Sequence, residues 1–193
     1  MTTRSLAKLR QELADRPAVS RDGKKFAAVA IVLLERKNEP SVLLIERATK
    51  AHDPWSGHLA FPGGRRDPSD LSLRATAERE TLEELGLDLS KDAELLGPLD
   101  HLMGRGGSAG SGLVIAPFVF ALHSEPIMQP NPEEVQRCFW TPVEPLLRGE
   151  HDTTIDVQHA GRSAVLPAYR VEDGVLWGLS YQMLTSLFAL LNR

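Results

Sequence analysis

The chain's densest gathering of acidic groups is the heptad Glu78-Arg79-Glu80-Thr81-Leu82-Glu83-Glu84. On a helix, Glu80, Glu83 and Glu84 stand at i, i+3 and i+4, so their carboxylates share one face. Like charges at this spacing destabilise a helix by roughly 0.2 to 0.5 kcal/mol per pair. No Lys or Arg follows within the helix to relieve them; only Arg79, four residues before Glu83, can do so. A hard divalent cation needs such a set of oxygen donors, and carboxylates that leave room for water suit Mg²⁺ or Mn²⁺. The competing reading is a solvated acidic helix face. The flanking residues weigh for the cation, because Phe61-Pro62-Gly63-Gly64 leads into the helix through a tight loop and Leu85-Gly86-Leu87 closes it.

The elements that must position this face follow from periodicity and turn chemistry. The helix itself is expected from about Leu71 to Leu85, with Ser69 or Asp70 as N-cap and Gly86 just past its end. Before it, the apolar runs Phe26 to Leu34 and Ser41 to Glu46 flank the polar turn Glu35 to Pro40, a strand-pair signal. A helix over 5–15 carries Leu6, Leu9 and Leu13 at helical spacing and ends near Arg16-Pro17. After it come strands at Ala93 to Met103 and Leu113 to Leu122, around a loop with five glycines in the nine residues Gly104 to Gly112. Further strands are expected at Val135 to Thr141, Ser163 to Leu166 and Val175 to Leu179, with a short helix near Val143 to Arg148. A last helix, 180–191, presents Met183, Leu184, Leu187 and Leu191 on one face. Strands and helices that do not strictly alternate predict an α+β fold with a mixed sheet.

Bulk properties narrow the function classes. At 193 residues and 21.2 kDa, one domain over 1–193 is the expectation. The formal charge of −4 argues against binding nucleic acid or anionic lipid through bulk electrostatics. No apolar run approaches the roughly 18 to 20 residues of a membrane helix. Met1 to Arg10 lacks the apolar stretch of a secretory signal, and Cys138, the only cysteine, cannot form an internal disulfide. A packed structural thiol in a cytoplasmic protein is the expectation.

The stretch from Gly64 to Leu87 resembles the Nudix box, G-x5-E-x7-R-E-U-x-E-E-x-G-U with U aliphatic. Arg79-Glu80 matches the R-E pair, Glu83-Glu84 the E-E pair, and Gly86-Leu87 the close. Two departures stand out. Fourteen residues separate Gly64 from Arg79 where the pattern has thirteen, so the early Glu position falls on Asp70 or Leu71, and Thr81 occupies an aliphatic position. The resemblance implies a Nudix-like mixed β-sheet sandwich flanked by helices and a hydrolase that cleaves a diphosphate by attack of a metal-activated water. Carried over by position, Glu80, Glu83, Glu84 and the Gly64 carbonyl bind Mg²⁺ or Mn²⁺, and Arg79 orients a glutamate. The general base is Glu80, Glu133 or Glu134.

Residues outside the box resemble the coenzyme A diphosphatase branch, whose extra signature is L-L-x-x-R-[SA]-x3-R-x3-G-x3-F-P-G-G. Leu43-Leu44, Arg47-Ala48, Gly57 and Phe61 to Gly64 fit it, with Asp53 near the place of its second Arg. The extra residue within Gly63 to Asp70, then Asn131 to Val135, Phe139 to Pro142 and Leu176 to Ser180, extend the likeness. Coenzyme A or an acyl-coenzyme A is the implied substrate. The same chemistry on a nucleotide sugar, dinucleotide or nucleoside triphosphate is the nearest alternative, and an inactive Nudix-like binding module is an alternative of another class. Arg47, Lys50, Arg65, Arg66 and Arg105 are phosphate-contact candidates or ordinary surface cations. Trp55 either stacks on a base or plugs the local core. His58 touches substrate or bonds backbone. The run Gly104 to Ala109 fits a dinucleotide fingerprint nominally, but a strand rather than a helix follows it; a lid and a hairpin tip are both open readings. The expected partner is a small-molecule diphosphate, with no nucleic acid or membrane, and a homodimer is left open.

Overall fold

The computed structural model describes residues 3–14, 16–35, 40–51, 55–104, 112–159 and 162–191. In chain order the elements are α1 (Thr3–Ala14), β1 (Lys25–Leu34), β2 (Ser41–Arg47), β3 (Leu59–Ala60), β4 (Gly63–Arg65), α2 (Leu73–Leu85), α3 (Leu89–Asp92), β5 (Glu94–Pro98), β6 (Leu102–Met103), β7 (Leu113–Leu122), β8 (Val135–Pro142), α4 (Val143–Leu147), β9 (Asp152–His159), β10 (Arg162–Val171), β11 (Gly174–Trp177) and α5 (Gly178–Leu191). Eight strands form one mixed sheet with the path β3-β2-β1-β7-β5, onto which β4 adds at β1, β6 at β7 and β8 at β2. A second, antiparallel sheet runs β11-β10-β9.

Strand β1 is apolar on both faces because both are covered. Ala28, Ala30, Val32 and Leu34 join Leu43, Ile45, Phe120 and the α2 residues Ala77 and Leu85 in one core. The alternate residues Ala27, Ile31 and Leu33 pack with Leu6, Leu9 and Leu13 of α1 and Leu184, Leu187 and Phe188 of α5 in the other. This is the expected α+β arrangement, a mixed sheet between helical layers.

The pairing of β1 shapes the site. Its full-length partner is β7, parallel from Lys25↔Leu113 to Leu34↔Leu122. The expected pairing with β2 is present and antiparallel, but its register is confined to Leu33↔Val42 and Leu34↔Ser41. Along the same edge, β4 pairs through Ala27↔Arg65, Ala28↔Gly64 and Val29↔Gly63. The edge of β1 is thus divided, and the Phe61 to Gly64 loop is inserted where β2 diverges.

Several sequence expectations shift. The α2 N-cap is Ser72, whose hydroxyl accepts from the Ala75 N–H at 3.1 Å, and the helix starts at Leu73. Asp70 does not cap, because its carboxylate is drawn into an ion pair described below. Ala93 to Met103 is two strands, broken where the Leu99 N–H turns to the Pro117 carbonyl and the His101 N–H to the Val19 carbonyl. The strand expected at Ser163 to Leu166 extends over Arg162–Val171 and pairs with β9, which the sequence reading missed. The turn 36–39 and the glycine-rich loop 105–111, with Arg105 and the lid reading, lie outside the described residues, as does Asp53. Cys138 is half-buried against the α2-side core, 4.0 Å from Met128 Sδ, and burial pushes its thiol up. Among the described residues, no helix is long and apolar enough to cross a membrane.

Candidate active site

Helix α2 is held at both ends by local chemistry: Ser72 caps its start, and Gly86, at φ 66°, closes it with its N–H on the Leu82 carbonyl. Thr81, where the box has an aliphatic residue, is buried and satisfied by donating to the Ala77 carbonyl at 2.8 Å. The loop before β8 docks on the helix's last turn, with the Gln129 N–H on the Leu85 carbonyl and the Asn131 N–H on the Glu84 carbonyl, both at 2.8 Å. These carbonyls lack partners within the helix, so the loop carrying Glu133 and Glu134 is fixed beside the acidic face by necessity.

Arg79 is the hub. Its Nε donates to Asp70 Oδ1 at 2.9 Å and its Nη2 to Asp70 Oδ2 at 3.1 Å, a two-pronged carboxylate grip. Nη1 meets Glu83 Oε2 at 2.9 Å, while Nη2 also reaches Glu80 Oε1 and the Arg65 carbonyl, each at 3.0 Å. Asp70, only 7% exposed, further accepts from Thr76 Oγ1 at 2.8 Å and the Asp67 N–H at 2.9 Å. The Arg79 guanidinium, chiefly, holds its carboxyl well below the usual range. Of the two candidates for the early Glu position, Asp70 is the one that meets Arg79, while Leu71 is 95% exposed.

Glu84 is 3% exposed and accepts from the Gly63 N–H at 2.9 Å. Desolvation pushes its carboxyl up to about 8; the Gly63 bond and the Arg47 charge work against the rise, and the charges of Glu80 and Glu134 add to it. Glu80 is raised in the same sense, first by burial, with Arg79 opposing. Gly64 lies directly under Glu80: a Cβ there would stand 2.4 Å from the Glu80 carboxyl carbon. Gly63, at φ 147°, is equally constrained, because a Cβ would fall 2.4 Å from the Ala28 carbonyl oxygen. Glu83 is half-exposed and turned to Arg79.

Glu80, Glu83, Glu84 and Gly64 are therefore neighbours, as their spacing implied. Among the described residues, however, no three His, Cys, Asp or Glu side chains are already gathered to hold a metal ion. Glu80 and Glu83 are drawn to Arg79, and Glu84 to the Gly63 N–H. The donor chemistry still fits a hard cation: two half- to fully buried carboxylates repel each other at the end of a β-strand loop, and a divalent ion would relieve that repulsion.

The other sequence candidates divide. Arg47 is close enough for its charge to act on Glu84, and its backbone is tied to the next loop, with the Gly57 N–H on its carbonyl and its N–H on the His58 carbonyl, both at 3.1 Å. Of the two loop glutamates, Glu134 acts electrostatically on Glu80 and Glu84, whereas Glu133 is exposed. Arg65 and Arg66 are exposed; Arg66 Nη2 donates to the Asp70 carbonyl at 3.1 Å. Trp55 and His58 form a ring cluster with Trp177, a residue that carried no functional expectation of its own.

Comparison with known proteins gives the family. The NUDIX domain model matches residues 24–160. An uncharacterized Nudix hydrolase, NudL, of Photorhabdus laumondii subsp. laumondii is 32% identical over 167 residues, covering 86% of this chain and 84% of that protein. An uncharacterized protein of Schizosaccharomyces pombe is 41% identical over 120 residues, 61% of this chain, and the match spans only 36% of that protein. Among solved structures, a MutT/nudix family protein from Enterococcus faecalis aligns with a TM-score of 0.56 at 19% identity, covering 100% of this chain and 70% of that one. A MutT protein from Methanosarcina mazei Go1 aligns at 0.53 and 16%, covering 93% and 98%. These last two likenesses concern the fold. The acidic helix, its glycine loop and the family match converge on one conclusion: the chain belongs to the NUDIX domain family.

Proposed function

We propose that this Nudix hydrolase, acting as a single domain over 1–193, cleaves the diphosphate of coenzyme A or an acyl-coenzyme A, with Mg²⁺ or Mn²⁺ held on the acidic face of α2. The observation that carries the reading is the Glu84 carboxylate, buried on the Gly63 N–H, with the charges of Glu80 and Glu134 acting on it. Glu80, Glu83, Glu84 and the Gly64 carbonyl would hold the cation. When bound, it neutralises the diphosphate and lowers the pKa of the attacking water.

The remaining work belongs to the chain. Arg79, gripped by Asp70, holds Glu80 and Glu83 through one guanidinium and so fixes their positions on the helix face. Glu134, facing α2 from the docked loop, accepts the proton of the attacking water, with Glu80 as the second candidate; Glu133 is too exposed for that part. Arg47 meets the diphosphate charge beside Glu84. Arg65 and Arg66 offer outer cations to further phosphates.

Support for coenzyme A comes from the segments that resemble its diphosphatases. They lie far apart in sequence yet meet one another: Arg47 is bonded to Gly57 and His58, Asn131 to the Glu84 carbonyl of the acidic helix, and Trp177 stands beside Trp55. A nucleotide sugar, dinucleotide or nucleoside triphosphate is the second reading. Asp53 is the departure that leaves room for it, since near the place of the coenzyme A signature's second Arg this chain has a carboxylate that cannot pair with a phosphate. A Mg²⁺-dependent product screen over coenzyme A, acyl-coenzyme A, NADH, ADP-ribose and nucleoside triphosphates decides between them. Adenosine 3',5'-bisphosphate and a phosphopantetheine from coenzyme A is the expected result. Turnover of another substrate alone would give the second reading, and no product from any would make the chain a binding module.

A further inference from the structure

The small sheet ends in an open edge. Among the described residues, β9 pairs with β10 alone, from Tyr169↔Asp152 to Arg162↔His159 with no shift of register. The sheet's other edge, β11, is turned to the large sheet, where a Cβ on Gly174 would stand 2.9 Å from Leu59 Cδ1 of β3. Tyr169 fixes the root of the hairpin, its ring 4.8 Å from that of Tyr181 on α5. The eight residues of β9 therefore present a row of outward backbone donors and acceptors. The strand has no Pro, no Lys and no bulge, three of the usual blocks to further pairing. Its faces differ: Asp152, Thr154, Asp156 and Gln158 are exposed on one, whereas Thr153, Ile155 and Val157 are half-buried on the other, beside Ala168, Leu166 and Ala164 of β10. Ile155, Val157, Ala164 and Leu166 belong to neither core. They form an apolar stripe that runs up to the open edge.

We propose that a second copy of this chain occupies the edge, adding its own β9 antiparallel and joining the two small sheets into one. Charge selects both the occupant and the register. A twofold axis perpendicular to the sheet keeps each face on its own side and pairs the strand with itself about one residue. Centred on Ile155, the pairing sets Ile155 against Ile155 of the second copy and Thr153 against its Val157. Asp156 then faces Thr154 of the second copy, and Asp152 faces its Gln158. The apolar stripe continues across the junction, and both carboxylates of the strand meet neutral hydrogen-bonding groups. Centring on Thr154 would set Asp152 against Asp156, and centring on Asp156 would oppose the two copies of that residue. Like charges directly opposite destabilise a strand pair. A strand that complements itself in one register is matched to its own copy more closely than to an unrelated strand. So short an edge buries less than a permanent interface does, and the dimer is expected to be reversible in the micromolar range. This pairing is independent of the diphosphatase reading.

Sedimentation velocity on the full chain, from about 1 to about 200 µM, is the test. The wild type is expected to pass from monomer to dimer, and the β9 amides to exchange hydrogen more slowly as the dimer forms. Thr154 is exposed and lies opposite Asp156 of the second copy, so substitutions there read the register without entering a core. Thr154→Lys creates two opposite-charge pairs and should tighten the dimer by about three- to tenfold, whereas Thr154→Asp creates two like-charge pairs and should weaken it by a similar factor. A wild type that stays monomeric at every concentration overturns the pairing, leaving the edge to solvent or to another protein, and that readout needs no variant to fold. A dimer whose β9 exchange is unaltered by concentration, or whose affinity neither variant changes, forms elsewhere and overturns it too. So does an open-ended assembly, because pairing along β9 closes at two copies.

Discussion

Replacing Glu84 by Gln tests the electrostatics of the site without any substrate. In the folded chain burial lifts this carboxyl from 4.5 to about 8, while in the unfolded chain it titrates near its ordinary value. Between those two pH values the folded state holds a proton that the unfolded state has lost, so stability falls as pH rises. Each tenfold change in proton affinity is about 1.4 kcal/mol, which sets a ceiling of about 5 kcal/mol on the loss. Glu84→Gln carries no titrating group there, yet its amide still accepts the Gly63 N–H. With EDTA present, urea unfolding across pH 5 to 8.5 should show the wild type losing stability toward pH 8. The variant should lose less, retaining only the smaller contribution of Glu80, which is raised in the same direction. Saturating Mg²⁺ should reverse the order, since a cation at one hundred times its Kd adds about 2.7 kcal/mol to the state that binds it. Parallel pH curves for the two proteins, or an equal Mg²⁺ gain in both, would refute the reasoning.

Other substitutions probe separate parts. Gly64→Ala drives a methyl into the Glu80 carboxyl, the free end of a side chain that can move; turnover should fall more than tenfold while the melting temperature changes little. Gly63→Ala collides instead with the Ala28 carbonyl and the Val29 Cα, and should destabilise by about 1 to 3 kcal/mol in thermal or urea unfolding. Asp70→Ala leaves Arg79 without its two-pronged partner and should cost about 1.5 to 3 kcal/mol near neutral pH. Because the Asp70 carboxyl is held below 3.8 in the folded state, its contribution is full above that pH and lost as the solution is acidified, so the variant's acid limb should be flatter by urea unfolding. Glu172, at φ 53° in the turn between β10 and β11, sits in a left-handed conformation that Asn tolerates better; Glu172→Asn should gain about 0.5 to 1 kcal/mol, read as a melting temperature higher by about 1 to 4 °C.

The acidic face was legible because its members lie within one helix, where spacing alone places Glu80, Glu83 and Glu84 together. Strand β7 was legible residue for residue, since a run buried on both sides stands out against its polar flanks. What escaped depends on contacts made through space. That Asp70 rather than Leu71 turns inward follows from Arg79, nine residues beyond Asp70, and not from the local pattern. Glu134 stood apart from Glu133 only once the Asn131 N–H had been seen to fasten their loop to α2. That Trp177 lies beside Trp55, far earlier in the chain, became visible only when β11 brought the two rings together. Strand β9 did carry a signal, the alternation of Thr153, Ile155 and Val157 with polar neighbours, but with only two aliphatic residues on its partly buried face it reads as a loop.

The central claim is that the carboxylates of α2 support hydrolysis of the coenzyme A diphosphate. Its most direct test is chromatography of coenzyme A incubated with Mg²⁺ and either wild-type protein or Glu84→Gln. The account predicts adenosine 3',5'-bisphosphate and a phosphopantetheine from the wild type, none with EDTA, and a rate at least a hundredfold lower from the folded variant, roughly what losing one charge-stabilising group costs. Intact coenzyme A with the wild type, or equal rates from the two proteins, would contradict it.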